Sequence, residues 1–141
     1  MNIKKVGAEK FFDSRGDETI LVWVKTSHGI FKTISPNCKS TGKYESRPYL
    51  RKLKKEIEYI CSLDINKLNI ENFEDLKKIE SYVRLGANSL FALEASLLKA
   101  LAKEKNKELF EILSDKKIKK NFSGSIGNSV GGGLHSKTNK K

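Results

Sequence analysis

Few side chains in this sequence could carry chemistry by type and spacing. The two cysteines, Cys38 and Cys61, are far apart and show no metal-type spacing, so neither a zinc site nor a disulfide framework is indicated. Cys38 falls in a polar loop, Asn37-Cys38-Lys39-Ser40-Thr41-Gly42-Lys43, and nothing beside it identifies a base that would activate its thiol. In the same loop Ser40 precedes Thr41-Gly42, which by composition makes it a turn-forming hydroxyl. His28 sits in the tight turn Ser27-His28-Gly29, a surface position. His135 lies among glycines and lysines near the end of the sequence, where a histidine is ordinarily solvated.

Charge is the other source of chemistry, and it is unevenly placed. Of 28 Lys+Arg against 17 Asp+Glu, seven are lysines beyond Asp115, where no acid occurs. Residues 1–115 therefore carry about +4 of the formal +11. A lysine-rich tail could hold nucleic acid through counterion release. However, it lacks the arginine fork that favours phosphate and base recognition, and Phe122 is its single aromatic for stacking. A solvated, solubilising surface is the plainer reading.

The elements that must position these groups are legible from periodicity. At 141 residues, 38% hydrophobic and 32% charged, the chain has the composition of one folded domain. No apolar run approaches the ~20 residues of a bilayer span. The opening Met1-Asn2-Ile3-Lys4-Lys5-Val6 has no apolar signal region, which points to a cytoplasmic location. Residues 3–12, Thr19–Val24 and Ile30–Ile34 read as three strands joined by the turns Asp13–Asp17 and Ser27–Gly29, an antiparallel meander. Alternation sends Ile20, Val22 and Val24 to one face and Leu21 and Trp23 to the other, an apolar pair that suggests contact with another chain or with the tail.

Helical spacing follows Pro36. Leu50, Leu53, Ile57, Ile60 and Cys61 form one stripe, and Phe73, Leu76, Ile79 and Val83 another. Ala87–Ala102 is apolar round most of its circumference, which predicts a helix buried on nearly all sides. Glu108–Leu113 adds a short last helix. The reading is an α+β domain over residues 1–115, a three-stranded meander packed on a helical cluster, followed by a Lys/Gly-rich tail over 116–141 with little structure of its own.

Four motifs in order resemble the N-terminal domain of enolase (phosphopyruvate hydratase). Ala8 with Phe12-Asp13-Ser14-Arg15-Gly16 and Thr19 resembles the family's A-R-x-x-x-D-S-R-G-N-P-T opening. Pro36 to Glu45 is similar in spacing to P-S-G-A-S-T-G-x-x-E, and Leu85-Gly86-Ala87-Asn88-Ser89-Leu90 to L-G-A-N-A-I. Gly132-Gly133-Leu134-His135-Ser136 resembles N-G-G-x-H-A. The resemblance implies a β3α4 domain. It also implies Mg²⁺-dependent interconversion of 2-phosphoglycerate and phosphoenolpyruvate, a superfamily chemistry run by a Lys or His base with Mg²⁺.

What carries over is lopsided. The family's proton-transfer groups and first-metal carboxylates belong to a β/α barrel, which needs ~200–250 residues and is not in this sequence. By resemblance, Ser40 is the lid serine that ligates a second Mg²⁺, and His135 reaches the substrate's phosphate region. Both roles are accessory, and the chain alone is expected to be inactive. Glu9 replaces a family Arg and Leu21 a family Glu, residues that form ion pairs across the usual dimer interface, so that dimer should be weakened. Asn37-Cys38-Lys39 also departs from the small S-G-A of the family's lid. The expected function is therefore a capping domain that completes an enolase site in trans with a separate barrel chain. The competing reading is a diverged, non-catalytic binding module, holding a protein through the Leu21/Trp23 face or RNA through the tail.

Overall fold

A computed structural model describes residues 1–37 and 42–114. The predicted positions Cys38, Ser40 and His135, like the whole 116–141 tail, lie outside the described residues. The architecture is α+β, with one three-stranded antiparallel sheet packed against helices. Strand β1 spans Ile3–Phe12, β2 Glu18–Thr26 and β3 Gly29–Ile34, in the order β1-β2-β3. Helices α1 (Leu53–Cys61), α2 (Leu76–Tyr82), α3 (Ala87–Glu104) and α4 (Leu109–Ile112) follow, with a 3₁₀ turn at Phe73–Asp75 leading into α2. Among the described residues no helix is long and apolar enough to cross a membrane.

Both hairpins form because their turns accept unusual backbone. Gly16 adopts φ 82° and Gly29 φ 134°, values that side chains with a Cβ rarely tolerate. Register then sets the faces, because directly opposed residues point the same way. Val22 is opposite Ala8 and Thr33, and Val24 is opposite Val6 and Phe31. Ile20, Val22 and Val24 are fully buried with Ile60, Leu93, Leu97 and Leu101 of α1 and α3, as alternation predicted. At roughly 1.5–3 kcal/mol for each fully buried aliphatic side chain, this layer is the main source of stability.

One position on each free edge of the sheet is capped by a side chain. The Cys61 thiol accepts from the Ala8 N–H at 3.4 Å and donates to the Ala8 carbonyl at 3.6 Å, along the outer edge of β1. Lys99 donates to the Lys32 carbonyl at 2.8 Å on the outer edge of β3. Backbone groups that would otherwise recruit another strand are thereby occupied.

Three expectations from periodicity are corrected. Leu50 precedes α1 and is 47% exposed, and Cys61 is exposed at its end, so the first stripe is Leu53, Ile57 and Ile60. Phe73 lies in the 3₁₀ turn and is exposed, leaving Leu76 and Ile79 as the buried pair of α2. Helix α3 is not buried all round. Ala92, Leu93, Ser96, Leu97, Ala100 and Leu101 form one buried stripe against β2 and β3, whereas Phe91 is exposed. A single sheet covers one side of a helix, and the short α2 covers little of the rest.

The outer face also differs in detail from expectation. Leu21 is buried and Trp23 half-buried, its indole lying flat over Gly7, where any Cβ would collide with the ring. The exposed apolar groups on that face are Phe11, Ile30 and Ile34 instead.

Candidate functional site

The turn Asp13–Asp17 is built around one carboxylate. Asp13 Oδ1 accepts from the N–H groups of Arg15 and Asp17, at 2.8 and 3.0 Å. Partial burial opposes the charge on Asp13. The N–H groups of Asp17 and Arg15, and then the Arg15 guanidinium, outweigh it and hold the carboxyl below its usual range. Arg15 is clamped in turn by Asp13 at 3.0 Å and Asp17 at 3.4 Å.

This braced guanidinium donates onward to the carbonyl of Asn37, at 2.8 Å. Asn37 is the last described residue before the 38–41 segment, and it is held from three directions. Its side-chain amide donates to the Glu18 carbonyl at 2.8 Å, and its Oδ1 accepts from Asn88 Nδ2 at 3.3 Å. Asn88 also reaches the Tyr49 hydroxyl at 3.4 Å, and that hydroxyl meets Thr19 Oγ1, which donates to the Ser35 carbonyl at 2.7 Å.

Asn88 can reach this point because of how α3 begins. The helix has no side-chain N-cap, but the N–H groups of Ala87 and Asn88 donate to the carbonyls of Arg47 and Pro48, at 2.9 and 3.0 Å. Two of the orphan donors of the first turn are thus satisfied by a neighbouring strand of chain. That approach requires glycine at 86, since a Cβ there would collide with the Pro48 carbonyl and the Tyr49 backbone. Glu56 fixes the same junction from below. It is fully buried, accepting from Gly86 N–H at 2.9 Å and from Arg51 at 3.2 Å. Arg51 stacks on Tyr59 at 3.9 Å and donates to the Arg84 carbonyl.

An open cleft of about 490 Å³ lies over this network, lined by Arg15, Asp17, Asn37, Tyr49 and Asn88 among others. Its groups can donate and accept hydrogen bonds and can fix a loop. None is a free nucleophile or a displaced base. Among the described residues no group of three or more His, Cys, Asp or Glu could hold a metal ion. Of the two carboxylates lining the cleft, Asp17 is paired with Arg15 and Glu18 with Lys10, so the described residues do not supply the oxygen-rich shell that Mg²⁺ requires. His28, as expected, is an exposed turn residue, its ring 3.3 Å from Ser27 Oγ.

Reading the sequence alone missed Asn37, Asn88, Tyr49 and Glu56. For Glu56 a signal existed: positions 53, 56, 57 and 60 share one helical face, which places a carboxylate in an apolar stripe. For Asn37 there was none, because its partners come from residues 18, 15 and 88. No protein-family model matches the chain.

Proposed function

We propose that this chain is a divergent enolase-type capping domain. On this reading it is inactive alone and completes a 2-phosphoglycerate/phosphoenolpyruvate site when it meets a β/α barrel on another polypeptide. The observation that carries the reading is convergence. Three of the four motifs, Asp13–Gly16, Pro36-Asn37 and Leu85–Asn88, are distant in sequence and meet at Asn37 through Arg15 and Asn88. A scaffold of that kind serves to hold the root of the segment containing Ser40 in one place, and positioning to within an ångström is what a completed site demands.

In this proposal the Ser40 hydroxyl adds one oxygen to a Mg²⁺ ion held chiefly by barrel carboxylates. His135 approaches the substrate's phosphate. When bound, Mg²⁺ would supply Lewis-acid chemistry there, and this chain's share would be limited to the Ser40 oxygen and the His135 imidazole. The proton-transfer groups belong to the barrel, so no step of proton abstraction is assigned to this chain. A cytoplasmic location belongs to the same proposal.

The test is reconstitution. Barrel protein from the same host, mixed with the purified chain and Mg²⁺, should show phosphoenolpyruvate formation well above that of barrel alone. Ser40→Ala should remove most of the gain. A mixture no faster than the barrel, or a gain untouched by Ser40→Ala, would dismiss the proposal.

A further inference from the structure

The sheet face turned away from the helices has a composition that specifies an occupant. Register places Leu21, Trp23, Ile30 and Ile34 together on it, while their alternating neighbours enter the core. Leu21 and Trp23 form its floor, and Ile30 and Ile34 stand out of it, 53% and 41% exposed. Helices α1 and α3 pack through the opposite face, and Ile30 and Ile34 are left exposed on this one. Exposed charges edge the same face: Lys5, Lys25 and Lys32, against the single acid Glu9.

Size and charge together narrow what fits. Three strands ~4.8 Å apart and about six residues long at ~3.3 Å each offer a face roughly 10–14 Å by 20 Å. That is well short of the ~800 Å² per partner of a stable protein–protein interface. It does match one helix, about 10 Å wide and ~13 residues long. A second copy related by a twofold axis would bring a lysine rim against a lysine rim. The chain's own residues beyond Asp115 add seven lysines and no acid, so they are equally mismatched.

We propose that this face docks an amphipathic helix of another protein, one whose apolar stripe covers Ile30, Ile34 and Trp23 and whose flanking carboxylates meet Lys5, Lys25 and Lys32. Apolar burial supplies the affinity, and the lysine rim selects against basic partners. This does not rest on the enolase-type reading, whose proposed site is the Asn37 cleft, although Glu9 and Leu21 on this face are the positions at which that resemblance expects a weakened dimer.

Trp23 is the only tryptophan, so its emission reports this face directly. The full chain is titrated with a helical peptide of about 14 residues bearing a leucine stripe flanked by glutamates. A saturable blue shift is expected, at least about tenfold weaker when lysines replace the glutamates. Ile30→Lys and Ile34→Lys should each abolish it with far-UV circular dichroism unchanged. In a Lys25→Glu/Lys32→Glu variant the preference should invert toward the lysine peptide, which keeps the test decisive if an isoleucine variant misfolds. No shift, equal binding of both peptides, or no inversion would overturn the proposal. So would emission in the free chain already blue and shielded from acrylamide, which means the chain covers itself. A blue shift rising with protein concentration alongside a dimer in sedimentation would instead give the face to a second copy.

Discussion

Glu56 on α1 and Glu94 on α3 each place a carboxylate oxygen beyond the reach of water, and their surroundings differ. Glu56 is fully buried, yet one oxygen accepts from the Gly86 N–H and the other from Arg51. Glu94 is half-buried, and its Oε1 is enclosed with no hydrogen-bond partner among the described residues. Burial, and secondarily the charge of Glu80, push its pKa up to about 7. The same side chain is a fastening in one place and a liability in the other. What decides is whether donors are aimed at it, because an unsolvated carboxylate is tolerated only when paired and hydrogen-bonded.

The comparison can be broken from its strong side first. Glu56→Ala strands the Gly86 N–H in the interior, leaves a cavity and takes a partner from the part-exposed Arg51, and should cost about 3 kcal/mol in denaturant unfolding. A loss under about 1 kcal/mol would show the network to be ornamental. Gly86→Ala attacks the same junction through space instead of charge. It should cost about 3 kcal/mol, because backbone, not a yielding side chain, stands in the way of the new methyl. Retained stability there would mean that α3 can withdraw from residues 47–49 at little cost.

The weak side predicts gains. Glu94 is an acid whose pKa in the folded chain lies above its unfolded value near 4.5. It therefore costs nothing below about pH 4.5, and its penalty grows as pH rises from there and is complete above about 7. Glu94→Gln should stabilise the protein at pH 8 by about 1–2 kcal/mol, after allowance for the part of the carboxyl that solvent reaches, and leave pH 4.5 nearly unchanged. Thermal melts of both proteins across that range check the sign, and a gain equal at both ends would remove the titration from the explanation. Smallest is Ser89→Ala. Ser89 is fully buried in the first turn of α3 and its hydroxyl has no partner among the described residues, so deleting it should raise stability by up to about 1 kcal/mol. A loss instead would reveal a bond that the hydroxyl makes.

Strand alternation made much of the fold legible. Thr19–Val24 with its flanking turns led to the meander, and Ile20, Val22 and Val24 enter the core as their spacing requires. Helix ends were less legible. Leu50 and Phe73 fit an apolar period, yet they lie outside the helices that α1 and α2 form, because period alone does not mark where a helix begins. Trp23 illustrates a different limit: its shelter comes from an absent side chain at Gly7 on the next strand, which its own segment does not disclose. The candidate site was legible only as separate motifs. That Asn37 would be their meeting point depends on contacts across 51 residues, from Asn88, and 22 residues, from Arg15.

The thiol and ammonium caps at Ala8 and Lys32 also bear on how this protein behaves when concentrated. A ribbon arriving from a neighbouring molecule finds Ala8 answered on β1 and the Lys32 carbonyl answered on β3, so strand addition, the usual seed of fibrils, is opposed at one position on each flank. Crowded solutions of the chain should therefore stain less with amyloid dyes than those of a variant lacking the Cys61 thiol and the Lys99 ammonium.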